Sequence, residues 1–395
     1  MKTLVVVAAG AADRPVAELG GRTPLESAAT PHLDRLAREG RVGHVTPVPE
    51  GFRPEEGAFA LALFGLDPRE HADLGGALDA AALDLPLGSL DQAFRISLVT
   101  ADRETIHDPT AGHISREESA LLLGALADAC QDEDLAFVPG PAGRGVLLWR
   151  GARDLRVATL PPTEVVGRSL KAALPRGTGI GRLLAVIDRS REVFEPHEVN
   201  ELRRDLGENP ATLLWPWGPG VAHALPAFRE RVGMSAAFVG VNPTMLGTAR
   251  LLGLTTRPVE GATGLPDSNL RAKIDAALAL LEAHDLVVLH VDGLAAASHA
   301  RDFVAKVETL ERLDGYVLGT ALRHLERVPG SRLLFVAGEA VSVESGRHLP
   351  DPVPFVLYES GVRWPGRADF TEVGARAGGL EVARADQLLD FVLHL

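Results

Sequence analysis

The chain has 395 residues, enough for two or three compact units, and its 46% hydrophobic and 24% charged content is that of a globular protein, which excludes global disorder. A net charge of −13 lacks the clustered basic field that nucleic acid or an anionic membrane demands, so neither is an expected partner. The basic residues are nearly all arginine, with lysine only at Lys2, Lys171, Lys273 and Lys306, a bias that a GC-rich genome or growth at high temperature produces equally.

In chain order, "TLVVV" reads as a first buried strand rather than a signal peptide, because its apolar run is short and β-branched and Asp13, Arg14 and Pro15 follow closely. "TPHLDRLAREG" reads as a helix opened by Thr30 and Pro31 and stopped by Gly40, and "RVGHVTPV" as a second strand. The middle changes character: Ala93 to Ala101 and Leu135 to Arg150 show strand alternation with a Gly/Pro hairpin, which predicts an inserted α+β domain over residues 88–205. Inside it, Cys130 sits in the apolar run "SALLLGALADAC" and reads as a buried structural thiol. As the single cysteine it excludes an internal disulfide and a thiolate metal cluster, which fits a reducing cytoplasm. Beyond residue 205 come four more strand runs, "SAAFVGV", "HDLVVLHV", "SRLLFVAG" and "PVPFVLY", separated by helical stretches such as Asp302 to Leu325. Short Val/Ile/Leu runs alternating with amphipathic helices predict an α/β domain, a mostly parallel sheet flanked by helices, built from residues 1–87 and 206–395. No apolar run is long enough to span a bilayer.

In such sheets reactive groups collect in loops past the carboxyl ends of strands. Three such loops are informative: "AAGAADRP" with Asp13, "DGLAAASHARD" with Asp292, His299 and Asp302, and "EAVSVESGRHLPDPVP" with Glu339, His348 and Asp351. His44, His71, His107, His284 and His290 read as hydrogen-bonded loop or core histidines.

The segments "AADRPVAELGGRTPLESAATPHLDRLAREG", "FGLDP", "AFRISLVTAD", "AGHISREE", "LLWPWGPG", "VEGATGLPDSNL" and "DPVPFVLY" resemble, in order and spacing, the archaeal-type cofactor-independent (2,3-bisphosphoglycerate-independent) phosphoglycerate mutases of the alkaline phosphatase superfamily. The resemblance implies a phosphatase-like domain holding two divalent metals beside a serine nucleophile, with an inserted substrate-closing domain. Carried over position by position, it implies that most of the site is substituted. The Gly-Asp-Gly after the first strand is Ala8, Ala9 and Gly10, so the aspartate ligand is gone; the serine falls on Glu56 and the next acidic position on Gly57. The later Asp and His ligands fall on Ala295 and His299, the Asp-His pair on Glu339 and Ala340, and the last histidine on His348. A phosphate-binding Arg-Gly-Pro stretch appears as "LGGALD" around Gly75 to Leu78, the arginine of the "AGxI" motif as His113, and a Pro-His-Asp motif as Pro162, Thr163 and Glu164. Trp215 and Trp217 fit the family's core packing, while Arg95, Arg144 and Arg168 are candidate substitute anion contacts.

Three readings follow. Loss of the serine and of metal ligands predicts a member without mutase activity that acts in binding or regulation, with a phosphorylated small metabolite as its expected partner. A second keeps a phosphatase or hydrolase with one divalent metal (Mn, Zn or Mg) on His299, His348 and a carboxylate from Glu339, Glu56 or Asp292. The third is an active mutase, against which the substituted nucleophile argues. The oligomeric state stays open.

Overall fold

The computed structural model describes residues 2–52, 57–364 and 369–394; Glu56, at the nucleophile position, lies outside them. The chain divides into two compact units, Met1–Glu70 with Leu225–Leu395, and His71–Ala224.

The first unit is built, among the described residues, on an eight-stranded sheet. Its spatial order is Thr255–Thr256, Ala236–Val239, Leu286–Val291, Thr3–Ala8, Arg332–Val336, Val353–Glu359, Arg41–Val45 and Glu381–Val382. The strands from Thr255–Thr256 to Arg332–Val336 run parallel, whereas Val353–Glu359 is antiparallel to both of its neighbours. The sheet is therefore mixed. Thr3–Ala8, Leu286–Val291 and Arg332–Val336 are buried along their whole length, as continuous apolar runs covered on both faces must be.

The expected helix from Asp302 to Leu325 is present but changes pitch. Asp302 caps Phe303–Leu313, one π turn follows at Asp314–Leu318, and Gly319–Leu325 completes it. The buried Asp314 carboxylate accepts from the backbone N–H groups of His32 at 3.2 Å and Leu33 at 2.8 Å, and meets His32 Nδ1 at 2.8 Å. It thus caps helix Pro31–Glu39, whose own N-cap Thr30 makes no side-chain cap bond.

The second unit has an antiparallel sheet in which Gln92–Ala101 pairs with Ile106–Asp108, Arg144–Trp149 and Leu213–Val221, and Arg144–Trp149 pairs with Leu135–Pro139. Helices Arg116–Cys130 and Gly181–Phe194 bring Leu122, Leu126, Leu183 and Phe194 onto Phe94, Ile96 and Leu147 to form its core. The unit begins and ends outside the expected 88–205 insert because helix Gly75–Ala82 and strand Leu213–Val221 pack against Gln92–Ala101. Trp215 is fully buried, with Nε1 donating to the Leu160 carbonyl. Cys130 is half-buried rather than enclosed, because it ends its helix beside the left-handed cap Gln131; burial still pushes its thiol pKa up.

Candidate active site

Three parallel strands of the first unit deliver the positions named above to one place. The Ala9 N–H donates to the Val291 carbonyl at 2.9 Å and the Gly10 N–H to the Glu339 carbonyl at 3.0 Å, tying together the loops after Thr3–Ala8, Leu286–Val291 and Arg332–Val336. The approach is close. A Cβ on Gly10, whose φ is +79°, would lie 2.6 Å from Ala295 Cα, and one on Gly338 would lie 2.8 Å from Ala9 Cα. Ala9 and Ala340 are 8% and 1% exposed. Where the resemblance implies carboxylate or imidazole ligands, small side chains and backbone are in contact.

His299 and His348, where the resemblance implies histidine ligands, meet in a ring contact. His299 ends helix Gly293–His299, and His348 lies in the short strand Arg347–His348, paired with Val341–Ser342. Their ring centroids are 5.2 Å apart with a 55° interplanar angle. Two imidazoles on one tetrahedral dication, each with a metal–nitrogen bond of about 2.0–2.1 Å, hold their centroids about 5 Å apart. His299 Nδ1 lies 2.9 Å from the Gly346 carbonyl, a contact that favours the tautomer protonated at Nδ1. Among the described residues no group of three or more His, Cys, Asp or Glu side chains converges to hold a metal.

The carboxylates divide differently from the sequence expectation. Asp292 is engaged elsewhere: its Oδ2 is 3.2 Å from His290 Nδ1 and it hydrogen-bonds the Asn242 side chain, which caps helix Pro243–Leu251. Burial is the largest influence on Asp292 and pushes its pKa up, but His290, Lys273 and Asn242 together outweigh it and hold the carboxyl at about 2. Lys273 is fully buried, and burial lowers its pKa against the pull of Asp292. Glu339 joins the site through its backbone carbonyl.

Asp13 is the hub of the loop. Its Oδ2 accepts from Lys306 Nζ at 2.7 Å and from the Val343 N–H at 2.9 Å, and Lys306 Nζ also donates to the Val341 carbonyl at 2.9 Å. The side chains of Lys306 and Asp13 are 0% and 1% exposed. Glu372 accepts from the Asp13 N–H and from Thr23 Oγ1, and burial raises its pKa. The hub fixes Val341–Val343, and with it the hairpin that carries His348.

In the second unit, a Cβ on Gly75 would stand 2.4 Å from the Pro219 carbonyl oxygen, so the helix that replaces the Arg-Gly-Pro stretch is pressed against the backbone of Leu213–Val221. A side chain at Gly75 would require this backbone to shift. Arg95 is 2% exposed, paired with Asp79 at 3.0 Å and stacked on Trp217 at 5.0 Å, which removes it from the surface anion contacts expected of it; Arg144 and Arg168 remain exposed. His113 is exposed, and Pro162, Thr163 and Glu164 form a short helix with Val165.

A family model described as 2,3-bisphosphoglycerate-independent phosphoglycerate mutase matches residues 37–200. The chain is 35% identical to a probable 2,3-bisphosphoglycerate-independent phosphoglycerate mutase of Geobacter sulfurreducens, with both chains covered in full. It is 34% identical to the mutase of Methanothrix thermoacetophila, again over the whole of both. Among solved structures it resembles the PH0037 protein of Pyrococcus horikoshii, with a TM-score of 0.77 and 28% identity over 99% of this chain and 96% of that one. The cofactor-independent phosphoglycerate mutase of Thermoplasma acidophilum shares the fold at a TM-score of 0.58 and 24% identity, with both chains covered in full. Among the described residues no helix is long and apolar enough to cross a membrane.

Proposed function

The chain belongs to the 2,3-bisphosphoglycerate-independent phosphoglycerate mutase family, and we propose that it is a member without mutase turnover that binds a phosphorylated small metabolite in a regulatory role. The observation that carries this reading is the contact of Gly10 with Ala295 and of Ala9 with Gly338 at the strand ends, where the resemblance implies metal-ligating carboxylates. Mutase chemistry needs a nucleophile and metals that stabilise the transferring phosphoryl group. A carboxylate at position 56 is a poorer, differently directed nucleophile than serine, and alanine at 9, 295 and 340 donates nothing. Unit His71–Ala224 is the counterpart of the substrate-closing domain.

A second reading, a one-metal phosphatase or hydrolase, is favoured by the His299–His348 separation and the Gly346 contact. A bound dication there would supply Lewis acidity and an acidified water. Metal analysis of protein purified without chelator, run with a coupled 3-phosphoglycerate to 2-phosphoglycerate assay, separates the readings. Metal with mutase turnover overturns the proposal, metal without turnover supports the one-metal enzyme, and absence of turnover and of metal at these two histidines supports the binding role.

A further inference from the structure

Residues 150–182 are basic in an acidic chain. They carry seven arginine or lysine residues against two acidic ones, Asp154 and Glu164, while the whole chain has a net charge of −13. Arginines elsewhere, such as Arg14, Arg35, Arg69 and Arg204, pair with carboxylates. Arg150, Arg153, Arg156 and Arg176 instead donate to the main-chain carbonyls of Glu133, Ser89, Arg153 and Ala172, at 2.5, 2.9, 3.1 and 2.7 Å. Among the described residues none of these four pairs with a carboxylate. Their guanidinium groups are held in place while their charge stays uncompensated, an arrangement that favours an anion.

A surface cleft of about 420 Å³ opens in this segment, within the range of about 300–1,000 Å³ that small ligands occupy. Trp149, Ala152 and Leu155 give it an apolar wall, and Asp154, Arg156 and Thr178 supply its polar groups. Its frame is tied down. The Gly151 N–H donates to Asp91 Oδ1 at 3.1 Å, the Arg153 N–H to the Leu90 carbonyl at 3.0 Å, and Gln92 Nε2 to the Leu155 carbonyl at 3.2 Å. Val157 pairs with Gly177, which sets Arg156 and Thr178 on neighbouring strands, and a Cβ on Gly177 would lie 2.1 Å from the Arg156 carbonyl oxygen. Arg182, paired with Asp132 and Asp134, places a second guanidinium 5.4 Å from the centre of the Trp149 ring.

We propose that this cleft binds a nucleoside phosphate. The Arg156 guanidinium and the Thr178 hydroxyl are donors suited to phosphate oxygens. Asp154 opposes a bare polyanion but accepts from the hydroxyls of a sugar, the role that a carboxylate takes beside ribose in dinucleotide sites. The apolar wall covers the flat, weakly hydrated body of a base, which inorganic phosphate lacks. The inference holds whether or not the chain turns over phosphoglycerate, because every residue of the cleft belongs to unit His71–Ala224, whereas His299 and His348 belong to the other unit.

The test is a calorimetric titration of the full chain with ADP in the presence of chelator, with pyrophosphate as the probe of charge alone. One equivalent of ADP is expected to bind, at least about tenfold more tightly than pyrophosphate. R156A, an exposed change, should weaken ADP binding about tenfold or more, the loss of one charge-assisted contact. D154A, also exposed, should weaken ADP binding without weakening that of pyrophosphate, and H299A/H348A should bind ADP as wild type does. No ADP binding, wild-type ADP affinity in R156A or D154A, pyrophosphate binding as tight as that of ADP, or loss of ADP binding in folded H299A/H348A each overturns the proposal.

Discussion

Replacing Lys306 by methionine keeps the volume of the side chain and removes its charge, so it tests whether the buried hub is held together electrostatically. The ammonium is fully buried, donates to Asp13 and to the Val341 carbonyl, and, among the described residues, leaves Asp13 with the Val343 and Arg14 N–H groups when it is lost. Removing one partner of a buried ion pair costs about 3–5 kcal/mol, since the remaining charge has no water to return to. Two carboxylates, Asp13 and Glu372, would then share a site without its buried ammonium, and proton uptake is the cheapest relief. A carboxyl whose folded pKa is raised contributes stability below its unfolded pKa and loses it as pH rises through the folded value. K306M should therefore be destabilised by about 3–5 kcal/mol at pH 8 in urea unfolding and recover part of that at pH 5, with D13N/K306M recovering more at pH 8. A loss below about 1 kcal/mol, or one that is the same at both pH values, would refute the electrostatic account of the hub.

Two further outcomes follow from the same geometry. Asp292, held at about 2, has a folded pKa below the ordinary value of about 3.9, so it contributes stability above pH ~4 that is lost as pH falls toward 2. D292N should flatten that acid limb by about 2 kcal/mol, and an unchanged limb in urea unfolding across pH 2–5 would show that the carboxylate is not held by its neighbours. D314A strips helix Pro31–Glu39 of the acceptor for two of its first N–H groups, so a loss of about 1–2 kcal/mol is expected in thermal unfolding; stability equal to wild type would mean that Asp314 does not cap the helix.

The sheet was legible because its strands are apolar runs of Val, Leu and Phe, and the paired histidines were legible through the motifs around them. Direction was not legible for Val353–Glu359: "PVPFVLY" has the same continuous apolar run as the parallel strands, and burial on both faces erases the alternation that marks many antiparallel ones. Lys306 and Asp13 are 293 positions apart, and a lysine within an amphipathic helix reads as a solvated face until the fold shows what covers it. Asp292 was a candidate ligand by its loop, but it lies three positions before Ala295 and its carboxylate meets His290 and Asn242.

The substitutions at the strand ends form one physical set. A two-metal centre gathers several carboxylates and histidines into one small volume, and without the metals those carboxylates repel. On the proposed reading, alanine at 9, 295 and 340 removes that repulsion, and the loops are in backbone contact at Gly10 and Gly338. Their positions are then set by bonds that require no dication: Ala9 to Val291, Gly10 to Glu339, and the Lys306 ammonium between Asp13 and Val341. His299 and His348 stand at the margin of this closed region, one fixed by Gly346 and the other by the hairpin that Asp13 anchors. On the proposed reading the loops are thus held together without a dication, with His299 and His348 paired beside them.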